Sequence, residues 1–525
     1  MRFPAIPFER GVLSSAAAGA LIVGIVAFAF RYLTISPIEN DHFVMLARAQ
    51  QVLYGDWPIR NFEDPGQPLF YLLTAGGAAL FGPVLVTNIV LCIALQAIAA
   101  SCAYLLARRA TGSSVVGLAA AVVAIVSSPR LYNTTKVIVP VVAILFQWRY
   151  ADLPGLRRLM AVAGWTAVAF LLRHDYAVYV VASTIVLIGV RHGSEPGAAI
   201  RRAAIYGGVA ALSVAPWLAY VQWNEGVMEY GRAAVRFAAS EGRRTASGPP
   251  QMLYYLLALI PACGFVLAFR RGRPPSRTER PRFGAPGTLD AAHLASTSVL
   301  VLMMNAVFLR DVLVARLPDV IAPTVILAAA LISQVLPVRA LRLGALVACV
   351  ATVALAAASL AAAGYGVPTP GAIVRQARRI TDRLVHASPD IQPSPRYAPL
   401  VSYLSRCTAP GQRVLVSGFG PDIPFLAGRA FAGGLPSWIP GYYETPADVA
   451  RARRRLDRED VSSAVLLEGS GPFERSWPDL AAWFRTRGFE EHAVPRMDAT
   501  LRVWLSAPPA DVSLDIATGL PCYPR

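Results

Sequence analysis

The sequence specifies an α-helical polytopic membrane protein that ends in a soluble α/β domain, and three observations lead there. The 525 residues are 55% hydrophobic and only 15% charged, too apolar for a globular chain to cover. Apolar runs long enough to span roughly 30 Å of hydrocarbon recur as far as residue 363 and then stop. Beyond about residue 365 charges, prolines and glycines return, in short segments that read alternately as strand and helix.

The long runs are continuously apolar and do not alternate residue by residue as a lipid-facing barrel strand does, so the spans are helices. Eleven segments qualify: 11–33, 84–107, 114–129, 137–151, 159–177, 178–191, 203–221, 251–269, 293–309, 319–336 and 342–363. An odd number puts the two ends of the bundle's chain on opposite sides. The connections 108–112, 153–158, 191–202, 270–283 and 337–342 are short and Arg-rich, which marks them as cytoplasmic. The first outer loop, 34–83, then faces outward with 223–250 and everything after 363. The net charge of +17 reads as topology and contact with anionic membrane lipids. No aromatic and basic motif points to nucleic acid. The first run lacks a small-residue cleavage site and is read as a retained span, and Trp217, Tyr220, Trp223, Tyr254 and Tyr255 as an interfacial belt.

These features divide the chain into a membrane domain, 1–364, and an extracytoplasmic α/β domain, 365–525. In the latter, 411–418 and 461–469 are strands, 446–460 is a charged helix, 477–488 is a helix ending at Gly488, and 499–506 closes the alternation. Cys92, Cys102, Cys263 and Cys349 lie in spans as small apolar residues, whereas Cys407 and Cys522 share the outer domain and are candidates for a disulfide. No CxxC, His/Cys metal spacing or phosphate-binding Gly-rich loop is present, so nothing supports a nucleotide cofactor.

The first exposed segment, residues 39–71, gathers Glu39, Asp41, His42, Asp56, Glu63 and Asp64. Ser36-Pro37-Ile38-Glu39 fits a capping box, and Phe43, Leu46, Ala47, Gln50, Leu53 and Tyr54 then repeat at helical spacing up to Gly55. That pattern describes an amphipathic helix on the outer membrane face. A second short helix follows the turn at Asp64-Pro65-Gly66, with Pro68 near its start. Capping and turn formation account for single acids here, but not for Asp41, His42, Glu63 and Asp64 together.

The acid just past the first span, the LARAQQVLYGDWP helix and DPGQPLFYLLTAGGAALFG leading into the second span resemble the first outer loop of the GT-C superfamily of polytopic glycosyltransferases. The protein-O-mannosyltransferase and aminoarabinose-transferase branch is the nearest in pattern. The resemblance implies a sugar donor on a polyprenyl-phosphate carrier, a glycan, lipid or protein acceptor, and a first-loop Asp as catalytic base. Asp41 takes that role, with Asp64 as the second candidate. The chain departs from the family in reading Asp41-His42 where an acidic pair is usual, and Gly66-Gln67-Pro68-Leu69 where a basic or His residue precedes two prolines. If a divalent cation such as Mg or Mn is used, Asp41 and His42 are the residues to hold it.

Such chemistry needs cations on the same membrane face, to receive the charge of the departing phosphate. Three clusters supply them: Arg130 with Lys136, the only lysine in the chain; Arg173 with His174 and Asp175; and Arg310, Asp311, Arg316 and Asp319. Arg130, Lys136, Arg173, His174, Arg310 and Arg316 are the candidates for the donor phosphate. Together these readings describe an inverting glycosyltransferase of a bacterial plasma membrane. The alternatives are a secondary transporter or flippase of lipid-linked sugars, which calls for paired broken helices that the sequence does not show, and a non-catalytic assembly protein.

Overall fold

The computed structural model describes residues 10–35, 38–243, 252–270, 289–306, 316–362, 369–388, 392–494, 496–506 and 513–522. In chain order its first helices are α1 (Arg10–Leu33), α2 (Asn40–Leu53), α3 (Pro68–Phe81), α4 (Val84–Thr111), α5 (Ser114–Val126), α6 (Thr134–Asp152), α7 (Leu156–Leu172) and α8 (His174–His192). There follow α9 (Pro196–Asn224), α10 (Val227–Arg243), α11 (Met252–Arg270), α12 (Ala291–Asn305), α13 (Leu317–Ile332), α14 (Val338–Ala362) and α15 (Pro370–Val385). Over its described residues, each of the eleven segments expected to span the membrane corresponds to a helix. Among the described residues, six helices are long and apolar enough to cross by themselves, and shorter apolar helices accompany them.

One division differs. The chain breaks between α7 and α8 at Arg173, which is extended at φ −170° and ψ 107°, and not near residue 177. At the break Arg173 pairs with Asp175, which stands in the first turn of α8. Residues 36–37, 271–288 and 307–315 lie outside the described residues, and with them Ser36, Pro37, most of the loop 270–283, Arg310 and Asp311.

Packing divides the chain into two compact units. The first comprises Met1–Thr34, Val90–Pro216 and Thr245–Ala377; the second comprises Ile35–Ile89, Trp217–Arg244 and Arg378–Arg525. In the first unit α8 and α11 pack on α12, and α5 packs on α13 and α14. Small residues permit the close approaches: a Cβ on Gly24 would lie 2.7 Å from Ser101 Oγ, and one on Gly117 would lie 2.7 Å from the Tyr104 carbonyl. At the C-terminal end of α6, Asp152 pairs with Arg109 and accepts from His293 Nε2 at 3.0 Å. His293 Nδ1 lies 2.6 Å from Asp290, the α12 cap, which also binds Arg191 at 3.1 Å. This buried chain of charges ties α4, α6, α8 and α12 together.

The second unit is built on α16 (Ala398–Cys407), β1 (Arg413–Ser417), α17 (Asp422–Leu426), β2 (Ala430–Phe431), α18 (Pro446–Leu456), β3 (Val461–Leu466), α19 (Ser470–Ser476), α20 (Pro478–Thr486), β4 (Phe489–Ala493) and β5 (Arg502–Ser506). The sheet runs β2-β1-β3-β5-β4, with β1 parallel to β2 and β3, and β5 antiparallel to β3 and β4. Both faces are covered. Leu415, Ala464, Leu466 and Trp504 meet Phe473, Trp477 and Phe484 on one side, and Val414, Val416, Val465 and Val503 meet Leu400, Tyr403 and Leu404 on the other. Burial on two faces is why β1 and β3 read as unbroken apolar runs. Cys407 and Cys522 are joined as a disulfide, with Cα atoms 4.9 Å apart, and Tyr403 donates to the Pro521 carbonyl at 2.6 Å beside it.

Candidate functional site

The first outer loop belongs to the second unit, and this changes how its helices are read. α2 begins at Asn40 with Glu39 at its N-cap, three positions beyond Ser36, the N-cap of the expected capping box, and the Glu39 side chain makes no cap hydrogen bond. One face of α2 is turned into the protein: His42, Phe43, Met45, Leu46, Ala47, Arg48, Ala49 and Gln51 are all buried. Polar side chains fit that setting because they dock on backbone. The Gln51 amide accepts from the Phe431 N–H at 3.1 Å and donates to the Phe431 carbonyl at 3.2 Å, standing in for a strand beside β2. Gln50 donates to the Phe425 carbonyl, and Phe43 meets Phe425 edge to face at 5.5 Å.

Two of the loop's acids are structural. Asp56 binds Arg413 at 2.5 Å and accepts from Gln51 at 2.6 Å. Glu63 Oε1 accepts from Arg451 Nε at 2.7 Å and from Arg455 Nη1 at 2.6 Å, while its N–H donates to the Gly434 carbonyl. Burial alone would raise the Glu63 carboxyl, but Arg455 and Arg451 outweigh it and hold the group below the usual carboxylate range. Arg451 also pairs with Glu225 and with Asp448, so α18 is clamped to the first loop by a buried ionic network. Glu63 therefore leaves the set of functional candidates.

Asp64 shapes the turn before α3. Its Oδ1 accepts from the N–H groups of Gly66 at 2.9 Å and Gln67 at 3.0 Å, and its Oδ2 accepts from the Tyr230 hydroxyl at 2.6 Å. Burial and the Asp64 charge both push the Tyr230 and Tyr71 hydroxyls upward, so these are neutral donors at any physiological pH. His42 is buried, and burial lowers its imidazole to about 4 against a smaller opposing effect of Asn88. Asp41, in the first turn of α2, is exposed. Asp41 is exposed and His42 buried, and among the described residues no group of three His, Cys, Asp or Glu is placed to hold a metal ion.

In the first unit, the cations from separate sequence clusters come together. Lys136, in the first turn of α6, binds Asp319 of α13 at 3.3 Å. It also lies in the field of Arg173, Arg316 and Asp175. Arg173 binds Asp175 at 3.0 Å and sits over the Tyr176 ring at 5.4 Å. His174 stacks on Phe170 with ring centroids 4.0 Å apart. Arg130 donates to the Tyr132 hydroxyl at 2.7 Å. The segment carrying Arg130 is anchored by a residue that sequence reasoning missed: Arg31 donates to the Pro129 carbonyl at 2.8 Å and to Gln96 at 3.0 Å, and Gln96 reaches the same carbonyl at 3.2 Å. In the sequence Arg31 looks like any interfacial arginine at the end of a span; its signal is Gln96, an amide inside an apolar run.

No family model matches the sequence, and no curated protein matches it. Among solved structures, ArnT from Cupriavidus metallidurans in the apo state superposes with a TM-score of 0.50 at 14% identity, over 95% of this chain and 98% of that one. The chain has the ArnT fold. The undecaprenyl phosphate-bound form of the same ArnT gives a TM-score of 0.49 at 14% identity, over the same shares of the two chains. The polytopic helical architecture with a C-terminal domain, expected from the first-loop motifs, is thus the ArnT architecture, and it extends over nearly the full length of both proteins.

Proposed function

We propose that this protein is an inverting glycosyltransferase that moves a sugar from a polyprenyl-phosphate carrier to an extracytoplasmic glycan, lipid or protein acceptor at a bacterial plasma membrane. The observation that carries the reading is the assembly of Lys136, Arg173 and Arg316, from three separate stretches of sequence, around one acidic partner in a bundle of ArnT fold. Three cations with only Asp319 and Asp175 named among their partners leave net positive charge in an apolar bundle, and a bound anion offsets its cost. The transfer breaks the bond between the anomeric carbon and the phosphate oxygen while the acceptor oxygen forms the new one. Asp41 takes the acceptor proton, and Arg130, Lys136, Arg173, His174, Arg310 and Arg316 bear on the departing phosphate. Asp64 positions the loop between the two short helices.

The test uses purified protein and synthetic farnesyl phosphate esters of mannose, arabinose and aminoarabinose, with transfer followed by mass spectrometry of the acceptor fraction. Asp41→Asn should lower turnover by about 10² to 10⁴ with folding unchanged, because the residue is exposed. Undiminished turnover in the folded variant removes Asp41 as the base.

A further inference from the structure

Polar side chains that are buried without a partner mark places where a protein awaits one. Several of those in the second unit lie along a single seam. Gln67, at the N-cap of α3, has its Oε1 buried with no hydrogen-bond partner in the protein, and one turn on, the buried Tyr71 hydroxyl lies beside the Asp64 carboxylate. Three residues further along that face, Thr74 accepts from Asn88 at 2.7 Å. Asn88 lies against His42, whose Nε2 is also buried and unpartnered. The seam thus begins at Asp64, which binds the Gln67 N–H and the Tyr230 hydroxyl, and ends at His42, the neighbour of Asp41.

The chemistry along this line is specific. Gln67 Oε1 seeks a donor, the Tyr71 hydroxyl offers one, and the Asp64 carboxylate has acceptor capacity beyond its present bonds. A hydroxyl both gives and accepts, so neighbouring hydroxyls on one ring meet these needs in sequence, which no apolar or purely anionic ligand does. Resting on the glycosyltransferase reading, we propose that Asp64, Gln67, Tyr71 and Tyr230 form the subsite that recognises the hydroxyl groups of the transferred sugar. Gln67 occupies the stretch in which this chain departs from the pattern of the family it resembles.

The experiment measures binding of bare farnesyl phosphate and of its mannosyl, arabinosyl and aminoarabinosyl esters to the full-length protein, for wild type, Tyr71→Phe and Gln67→Leu. Wild type should bind one ester more tightly than the bare phosphate. Each variant should weaken that ester by about tenfold while leaving the bare phosphate unchanged. Tyr71→Phe keeps the ring and removes only the hydroxyl beside Asp64, and retained binding of the bare phosphate shows that the variant is folded, which keeps the test independent of misfolding. Equal affinity of wild type for all four probes, or equal loss for ester and bare phosphate in the variants, overturns the subsite and leaves the phosphate-carrier reading standing. No binding of any probe to wild type overturns the function itself.

Discussion

Replacing His42 by Gln and, separately, Asp422 by Asn should split the acid stability of the protein into two opposing slopes. His42 is 1% exposed, and burial brings its imidazole from an ordinary value near 6.5 down to about 4. That displacement is worth about 3 kcal/mol. The unfolded chain binds this proton more readily, so the contribution is full above pH 6.5 and is lost as pH falls toward 4. Asp422 behaves in the reverse sense. It is also 1% exposed, one carboxylate oxygen has no partner in the protein, and burial raises the group from 3.8 to about 6. Its contribution, again about 3 kcal/mol, is full below pH 3.8 and is lost as pH rises toward 6. Between pH 4 and 6 the two nearly cancel. Melting temperatures in detergent micelles, read from tryptophan fluorescence between pH 4 and 7, should therefore rise with pH in Asp422→Asn and fall with pH in His42→Gln, relative to wild type. At about 2–4 °C per kcal/mol, each change should amount to roughly 6–12 °C across the window. Parallel profiles for all three proteins would refute the claim that these two groups are buried against their charge.

Breaking the buried pairs on Glu63 should cost more than any surface change. Arg455→Met leaves Glu63 with one of its two guanidinium partners and is expected to destabilise the second unit by about 3–5 kcal/mol, with Glu63→Gln in the same background recovering part of it; a double-mutant cycle on melting temperature checks this, and additive effects would count against the pair. Glu63 is held low by its arginines, so its share of stability is present above the unfolded carboxylate range and lost as pH falls through its folded value; the Gln variant should lack that acid-side loss. Cys407→Ser should lower stability by about 2–5 kcal/mol, because the bond closes a loop across a sequence separation of 115, and reductant should do the same to wild type but not to the variant.

The membrane helices were legible because hydrocarbon imposes its own length and composition on each span independently of the others. The break at Arg173 was less so: Val, Ala and Leu run on either side of it, and only the charged Arg173–Asp175 pair distinguishes the site of reversal from the residues around Ala177. In the second unit β1, β3, β5, α18 and α20 follow from local pattern. The strand β2 does not, since Ala430–Phe431 is a two-residue edge whose order comes from Gln51, which is 380 positions away in sequence. The same distance problem governed the acids. Asp64 forms its turn with residues two and three positions on, which sequence reasoning can weigh; Glu63 finds its partners 388 and 392 positions away, which it cannot.

A signal for Glu63 nonetheless existed on the other side of the contact. In α18, Val449, Ala452 and Leu456 define the buried face, and Arg451 and Arg455 stand one turn apart beside it, both less than a tenth exposed. Two guanidinium groups on the inner flank of an amphipathic helix cannot remain uncompensated, because burying each costs several kcal/mol. They require carboxylates from elsewhere in the fold, and the first loop offers a short list of candidates: Glu39, Asp41, Asp56, Glu63 and Asp64. Asp64 is committed by its turn, and Glu39 and Asp41 fall at a helix start where the dipole already favours them. That leaves Asp56 and Glu63, the two that arginines of the C-terminal region bind, so the charge buried in α18 identifies both as structural acids, while Asp41 is the exposed carboxylate of the first loop.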